Sequence, residues 1–246
     1  TMLLRQVAVK LMRRELLANV SHDLRTPLTT LLAHLETLQM KQSELTPQER
    51  GEYLDVATRQ SRRIGLLVEQ LLEAAKLEAG QVTVSVEPFP IGELLQDVVQ
   101  KFALAARDCG VALEVDAMAA ATMVSGDIAL LERVLDNLID NALRHTPIGG
   151  RVTVQSQPRG ERVRVSVTDS GPGLTREEAE REQSHRPPEK ERRPTHSGQS
   201  GLGLAIVKSI LELHGSNVAV KSQPGHGASF YFELPIVTQP PRTAPT

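Results

Sequence analysis

Apolar residues recur at alternating spacings of three and four through the first third of this chain, and the repeat stops at Gly80. This spacing is typical of the stripe along which helices pack. It predicts two long helices, separated by a polar break at Thr46 and Pro47, where proline suits the first turn of a helix. The predicted packing positions are Ser21, Leu24, Leu28, Leu31, Leu35 and Leu38 in the first helix, and Tyr53, Ala57, Gln60, Ile64, Leu67, Leu71 and Ala74 in the second.

Two helices joined by a short loop form an antiparallel hairpin. One hairpin buries too little of its apolar stripe to be stable alone, because most helical stability in proteins comes from packing. We therefore expect residues 1–80 to form a homodimeric four-helix bundle.

The pattern changes beyond Gly80. Val82, Val84 and Val86 alternate with polar residues, which predicts a half-buried strand. Helices are then predicted over residues 91–106, 127–145 and 204–214, and further strands over residues 111–115, 121–124, 151–157, 162–169, 217–222 and 228–234. This mixture predicts an α+β or α/β sandwich over residues 81–237, in which helices cover one side of a sheet.

The segment between Gly173 and Gly198 is rich in arginine and glutamate and has almost no apolar residue. Such a segment cannot bury a core, so we predict that it is mobile. The proline-rich tail, residues 238–246, is predicted to be disordered.

Composition limits the classes of partner. The chain has 246 residues and a formal net charge of −2, so it shows no basic bias towards nucleic acid or an anionic membrane. Its single cysteine, Cys109, excludes an intrachain disulfide and suits a reducing compartment. With no membrane-spanning run and no signal peptide, the chain is expected to be cytoplasmic. Because Thr1 precedes Met2 and a helical pattern begins almost at once, we expect a fragment of a longer protein.

His22 lies in a polar cluster that runs from Ser21 to Pro27, and it is a candidate phosphoryl acceptor. Neutral imidazole presents a nitrogen lone pair at pH 7, whereas a serine hydroxyl needs strong activation. Asp23 could hold the Nδ1 proton and direct Nε2 outward, and Thr26 could position a water for the reverse hydrolysis. Alternatively, His22 is an ordinary histidine on a solvated helix face.

Asn137 and Asn141 lie four residues apart and therefore share one face of the predicted helix 127–145. Two neighbouring amide oxygens can bind a hard cation, and Mg²⁺ usually completes its coordination shell with phosphates and water. The alternative is that both are ordinary surface amides.

Two glycine-containing segments could complete a nucleotide site. Asp169 ends a predicted strand and is followed by a turn with Gly171 and Gly173, so its carboxylate is placed as a hydrogen-bond acceptor at a sheet edge. The alternative is an ordinary turn, because aspartate and glycine are common turn residues. Residues 198–204, which include Gly201, Leu202 and Gly203, precede a helix, where free amides suit phosphate. Gly225 and Gly227 lie between the last two strands and are predicted to serve turn geometry.

These motifs, in this order, resemble those of one family. Residues 19–29 resemble the H-box of the sensor histidine kinases of two-component signalling, and the downstream motifs resemble its N-box and G-boxes. The resemblance implies a dimeric phosphoacceptor hairpin followed by an ATP-binding domain of the type shared with gyrases and chaperones. It implies that His22 is phosphorylated from Mg-ATP, and that the phosphoryl group passes to an aspartate in the receiver domain of a response regulator. Thr26 implies a phosphatase activity towards that regulator.

The resemblance also assigns roles in the nucleotide site. Asn141 would be the Mg²⁺ ligand, Asn137 a phosphate or metal-water contact, and Arg144 a phosphate partner. His145 would take a place near the base that the family often gives to tyrosine. Asp169 would bind the amine of adenine and so select ATP over GTP. Residues 173–200 would be the ATP lid, and the full-length protein would reside in the bacterial inner membrane through segments absent from this chain.

One departure from the family concerns the lid. The family commonly has an aromatic F-box between the adenine-binding aspartate and the glycine-rich end of the lid, whereas no Phe, Tyr or Trp occurs from Ala103 to Ser229. We predict that nucleotide binds but that lid closure is loosely coupled to it. Two rival functions remain at this stage: a gyrase-type ATPase module, and a non-catalytic dimeric signalling scaffold.

Overall fold

The structure is a computed structural model that describes residues 24–41, 44–118, 121–183 and 202–237. The chain divides into two compact units, and each is described by itself. The first comprises residues up to Ala79 together with Pro187–Leu202, and the second comprises Gly80–Arg186 and the residues from Gly203 onward. Among the helices of the described ranges, none combines the length and the apolar character that a membrane span requires.

The first unit contains the two predicted helices. Helix α1 is described over residues 24–40, and helix α2 spans Pro47–Glu78. Thr46 caps α2: its hydroxyl accepts a hydrogen bond from the Glu49 amide at 3.3 Å, and Glu49 Oε2 accepts from the Thr46 amide at 2.9 Å. The bond from the Thr46 amide, together with a second from the Thr46 hydroxyl to the same oxygen, lowers the pKa of the Glu49 carboxyl group. Pro47 lies in the first turn, as the sequence predicts.

The facing sides of α1 and α2 pack together through part of the predicted stripe. The His34 and Tyr53 rings contact each other in a tilted arrangement, with centroids 5.4 Å apart, and Ala57, Leu67 and Ala74 of α2 are buried. Other leucines of the stripe point away: Leu28 is 46% exposed, and Leu35 is 39% exposed. Further exposed apolar side chains on the two helices are Leu32, Leu54, Leu66, Val68 and Leu72. Among residues 24–41 and 44–78, which the structure describes, the hairpin therefore leaves a second apolar face uncovered.

The second unit is a sheet with helices on one side. Its helices are α3 (Ile91–Asp108), α4 (Ile128–His145), α5 (Arg176–Gln183) and α6 (Leu202–Leu213). Its strands are β1 (Glu87–Pro90), β2 (Ala112–Ala117), β3 (Met123–Gly126), β4 (Arg151–Arg159), β5 (Arg162–Asp169), β6 (Ala219–Ser222) and β7 (Ala228–Pro235). The five-stranded sheet has the order β2-β4-β5-β7-β6, in which only β2 and β4 pair in parallel. β1 and β3 form a separate antiparallel pair.

Alternation along the strands decides which face of the sheet is buried. In β5, Val163, Val165 and Val167 are at most 2% exposed, whereas Arg164 and Ser166 lie on the other, more exposed face. The same buried layer receives the apolar stripes of the helices, including Leu131, Leu135, Leu138, Ile139, Ile206 and Ile210. The predicted sandwich, with helices on one side of a sheet, is confirmed.

One sequence prediction is wrong here. Residues 82–86 do not form a strand; β1 begins only at Glu87, because the short β3 pairs with residues 87–90 alone. A helix that the sequence analysis did not predict, α5, occupies Arg176–Gln183, and the mobility predicted for the segment after Gly173 stays a prediction. Thr175 and Glu178 form a capping box that starts this helix without any apolar core. The rest of the predicted mobile segment, and the tail from residue 238, lie outside the described residues.

Candidate nucleotide-binding site

Helix α4 is the platform of the candidate site. Its buried stripe includes Val134, Leu138 and Ile139 and faces the sheet, so the helix is held firmly along its length. Asn137 and Asn141 lie four residues apart on α4 and are half-exposed. The two amides are therefore fixed by the helix but remain within reach of a ligand.

The amide of Asn137 has a defined orientation. Its Nδ2 donates to the Arg133 carbonyl oxygen at 2.8 Å, which leaves Oδ1 directed away from the helix backbone. A Cβ added to Gly203 would lie 2.9 Å from that Oδ1. The structure thus brings Asn137 together with the first turn of α6, where the sequence predicts phosphate binding.

Asp169 ends β5 and is only 7% exposed. Its Oδ1 accepts hydrogen bonds from the Gly171 amide at 2.8 Å and the Ala228 amide at 3.3 Å. Both of these bonds fall on the same oxygen. Among the residues that the structure describes, none bonds to Oδ2, which is therefore the oxygen left to accept a hydrogen bond from a ligand.

The turn that follows Asp169 is packed backbone against backbone. A Cβ added to Gly171 would lie 2.5 Å from the carbonyl oxygen of His145, the last residue of α4. Gly173 and Gly227 have φ values of +70° and +77°, and a Cβ on either would clash with backbone atoms. The structure therefore brings His145, Gly171 and Asp169 together at one corner of the second unit.

Arg144 is exposed and is already paired. Its Nη2 lies 2.6 Å from Asp140 Oδ2, one helical turn earlier, and both side chains are about half-exposed. Pairs exposed to this degree are weak, typically below about 1 kcal/mol. A phosphate could therefore replace Asp140 as the partner of Arg144 at little cost.

Three of the predicted site residues, His22, Asp23 and Gly201, lie outside the described residues. Thr26 is exposed on α1 in the first unit, and Leu202 is the first residue of α6 and is buried. Within the described ranges, no group of three or more His, Cys, Asp or Glu could hold a metal ion. The predicted Mg²⁺ ligand is instead an amide, that of Asn141.

Two residues that stabilise α4 were not among the site residues predicted from the sequence. Lys101 of α3 bonds through Nζ to Asp136 Oδ2 at 2.7 Å and to Glu132 Oε1 at 2.9 Å, and these bonds raise the pKa of Lys101. Asp127 accepts from the Leu130 amide at 3.1 Å and caps the helix. The cap is readable from sequence, because aspartate before an apolar helix is a start signal. Lys101 gives no such signal, since its partners lie more than 30 positions away.

A cavity of about 720 Å³ lies beside α5. Its lining includes Arg176, Lys221 and His226, and also Gly227 and Ala228 next to Asp169, but none of the predicted nucleotide ligands.

Two family models match separate parts of the chain. Residues 12–80 match the His Kinase A (phospho-acceptor) domain, and residues 126–238 match the histidine kinase-, DNA gyrase B- and HSP90-like ATPase family. The two matches together cover well over half of the chain. The chain belongs to the sensor histidine kinases. The family resemblance inferred from the motifs, and the fold type that it implies, are confirmed.

Relatives of this histidine kinase chain extend beyond it. It is 34% identical over 233 residues to the sensor protein DivL of Caulobacter vibrioides, covering 93% of this chain and 29% of DivL. It is 28% identical to full-length ShkA, solved in complex with AMPPNP (TM-score 0.64, covering 92% of this chain and 46% of ShkA). It is 26% identical to ThkA, solved in complex with the response regulator protein TrrA (TM-score 0.72, covering 91% of this chain and 61% of that one). The chain thus spans less than a third of DivL.

Proposed function

We propose that this chain is the phosphoacceptor and catalytic core of a sensor histidine kinase. It transfers the γ-phosphoryl group of Mg-ATP to His22, and from His22 to an aspartate of a response regulator. The observation that carries the proposal is the approach of Asn137 Oδ1 to Gly203, which joins the polar face of α4 to the amino end of α6. Free amides at that end suit the phosphates.

Asp169 supplies the base-recognition element. Its buried carboxylate is held through Oδ1 by two backbone amides, and Oδ2 can accept from the exocyclic amine of adenine. Guanine carries a carbonyl oxygen at the equivalent position and would place two acceptors against each other. Selectivity for ATP over GTP follows. The AMPPNP bound to ShkA supports a nucleotide of this class.

The donor set of α4 fits a magnesium ion. Asn141 would hold Mg²⁺ through its amide oxygen, with phosphates and water completing the octahedron. When bound, the ion neutralises charge on the phosphates. Phosphoryl transfer depends chiefly on positioning and on charge neutralisation. Asn137, Asn141 and Arg144 therefore serve to place the phosphates rather than to form covalent bonds.

His22 is the acceptor in this proposal, Asp23 orients its imidazole, and Thr26 acts in the reverse hydrolysis. The complex of ThkA with TrrA supports a response regulator as the partner. The uncovered apolar face of α1 and α2, which includes Leu28 and Leu72, supports a homodimer. A gyrase-type ATPase would not require the phosphoacceptor domain that residues 12–80 match.

The decisive experiment is autophosphorylation with γ-labelled ATP. The intact chain should acquire label that is acid-labile and base-stable, as expected for phosphohistidine. His22→Gln and Asn141→Ala should lose the label, whereas Ser21→Ala, which removes the neighbouring nucleophile, should keep it. Label that persists on His22→Gln, or that disappears with Ser21→Ala alone, would overturn the assignment. Hydrolysis of ATP without labelling of the intact chain would favour the ATPase.

A further inference from the structure

One buried carboxylate joins three separate segments of the second unit. Asp127 is 8% exposed and precedes α4. Its Oδ1 accepts from the Leu130 amide at 3.1 Å, and its Oδ2 accepts from the Ser85 amide at 2.8 Å. Ser85 belongs to residues 81–86, which have no regular structure and connect α2 to β1. The carboxylate that caps α4 therefore also holds the segment that arrives from the helical hairpin.

The backbone of Asp127 makes the third connection. Its amide donates to His214 Nε2 at 3.0 Å, and His214 Nδ1 lies 2.7 Å from the Ile210 carbonyl oxygen. The neutral imidazole supplies both roles, with Nδ1 as donor and Nε2 as acceptor. His214 directly follows α6, the helix whose first turn meets Asn137. Both helices that carry the candidate phosphate contacts are thus fastened at Asp127.

The packing around this junction is tight. A Cβ added to Gly126 would lie 2.5 Å from Leu131 Cδ1 and 3.3 Å from His214 Cδ2. Glycine at this position is what allows the imidazole and the first turn of α4 to approach the end of β3. Gly126, Leu131 and His214 therefore pack closely beside Asp127, whose carboxylate holds the exposed Ser85 through its amide.

We propose that Asp127 is a positioning residue that fixes the connecting segment to the nucleotide-binding helices, and that phosphoryl transfer to His22 depends on the Ser85–Asp127 bond. The second part of this inference, on phosphoryl transfer, rests on the proposed function. If the Ser85 amide is released, Oδ1 still caps α4 and His214 still holds the Asp127 backbone, so the nucleotide site keeps its shape. What is lost is the fixed attachment of the segment through which the hairpin is connected. Such an attachment controls where the phosphoryl donor, ATP, is placed relative to the phosphoryl acceptor, His22.

Backbone and side-chain substitutions separate this role from simple stabilisation. Ser85→Pro removes the amide hydrogen, and Ser85→Ala is the matched control because it keeps it. Asp127→Ser keeps a capping oxygen but is too short to reach Ser85. At saturating ATP, Ser85→Pro and Asp127→Ser should each slow labelling of His22 about tenfold, with the Kd for ATP changed less than twofold. Ser85→Ala should behave as the wild type. The double variant that carries both Ser85→Pro and Asp127→Ser should label no more slowly than either single variant, because each of the three variants loses the same Ser85–Asp127 bond.

Hydrogen exchange on the full chain provides a readout that does not need kinase activity. Asp127→Ser should speed exchange of the Ser85 amide at least tenfold, and Ser85→Ala should leave the amides of residues 81–86 as protected as in the wild type. Unchanged exchange in Asp127→Ser, equal labelling rates in Ser85→Pro and Ser85→Ala, or a parallel loss of ATP binding would each overturn the proposal. If the wild type fails to label while exchange responds as stated, the attachment stands and the proposed function fails.

Discussion

The backbone of Gly227 passes so close to the carbonyl oxygen of Asp169 that a Cβ on Gly227 would clash with it. The adjacent Ala228 amide donates to Asp169 Oδ1 at 3.3 Å. Ser222 reinforces the same corner, because its hydroxyl donates to the Gly227 carbonyl and accepts from the Leu174 amide, both at 2.7 Å. The turn between β6 and β7 thus supports the carboxylate that the proposed function assigns to adenine.

Gly227→Ala should therefore weaken ATP binding strongly while leaving most of the fold intact. The new methyl group must push the backbone of Asp169 away and so move its carboxylate out of position. Isothermal titration with a non-hydrolysable ATP analogue should show at least a hundredfold weaker binding, and circular dichroism should confirm that the chain remains folded.

Gly225→Ala is the matched control for this substitution. Gly225 also has a positive φ, +82° against +77° for Gly227, so both alanines carry a similar backbone strain of about 1–2 kcal/mol. No atom lies within 4 Å of the added Cβ at Gly225. Gly225→Ala should lower the melting temperature but keep ATP affinity. If the two variants lose ATP affinity equally, strain in the turn explains the effect and the clash does not.

Gly203→Ala tests the meeting of α4 and α6. In a helix, alanine is favoured over glycine by about 1 kcal/mol, so a gain in thermal stability would be the ordinary result. Here the methyl group would lie 2.9 Å from Asn137 Oδ1 and must displace that amide. We expect ATP affinity to fall about tenfold or more, with a melting temperature no more than a few degrees from that of the wild type. Asn137→Ala in the Gly203→Ala background should add little, because both changes affect one contact.

The bonds of Lys101 with Asp136 and Glu132 predict a specific dependence of stability on pH. These bonds raise the pKa of Lys101 above its ordinary value of 10.5. A raised pKa in the folded state means that the stabilisation is fully present below pH 10.5 and is lost as the pH rises through the higher folded value. Since the Lys101 side chain is half-exposed, we expect a contribution of only about 0.5–1 kcal/mol.

Lys101→Met removes the charge and keeps the length of the side chain. Urea unfolding at pH 7 should show the variant to be less stable than the wild type, and the difference should shrink as the pH is raised above 10.5. A difference that stays constant up to the highest pH at which the protein folds would assign the effect to packing of the aliphatic stem.

Sequence patterns predicted the elements that have their own local signals. The strand Arg162–Asp169 has the predicted bounds, because its alternation is regular and turns flank it. The alternation of residues 82–86 was equally regular, but none of the described strands pairs with it, and Asp127 holds Ser85 instead. Helix α5 was missed because the prediction relied on apolar content and ignored the capping pair Thr175 and Glu178.

The support around the site depends on contacts that a single sequence does not encode locally. The clash partner of Gly227 is Asp169, which is distant in the chain, and the approach arises from the pairing of β5 with β7. Asn137 and Gly203 meet for a similar reason, since packing on the sheet brings α4 and α6 together. The motifs identified these residues as candidates for the site, whereas the close contacts that require glycine at positions 203 and 227 became visible only in the fold. The roles of Asn141, Arg144 and His145 towards nucleotide stay predictions.

Leu28 tests the proposed homodimer. It belongs to the apolar stripe predicted from sequence, yet it is 46% exposed in the single hairpin. Burying a leucine stabilises by about 1.5–3 kcal/mol, and a symmetric dimer buries two copies. Leu28→Asp should therefore raise the dimer dissociation constant at least a hundredfold, measured by sedimentation equilibrium. Leu104→Asp is the control, because Leu104 is 63% exposed on α3 in the second unit. Equal association of Leu28→Asp and the wild type would show that this face does not form the dimer.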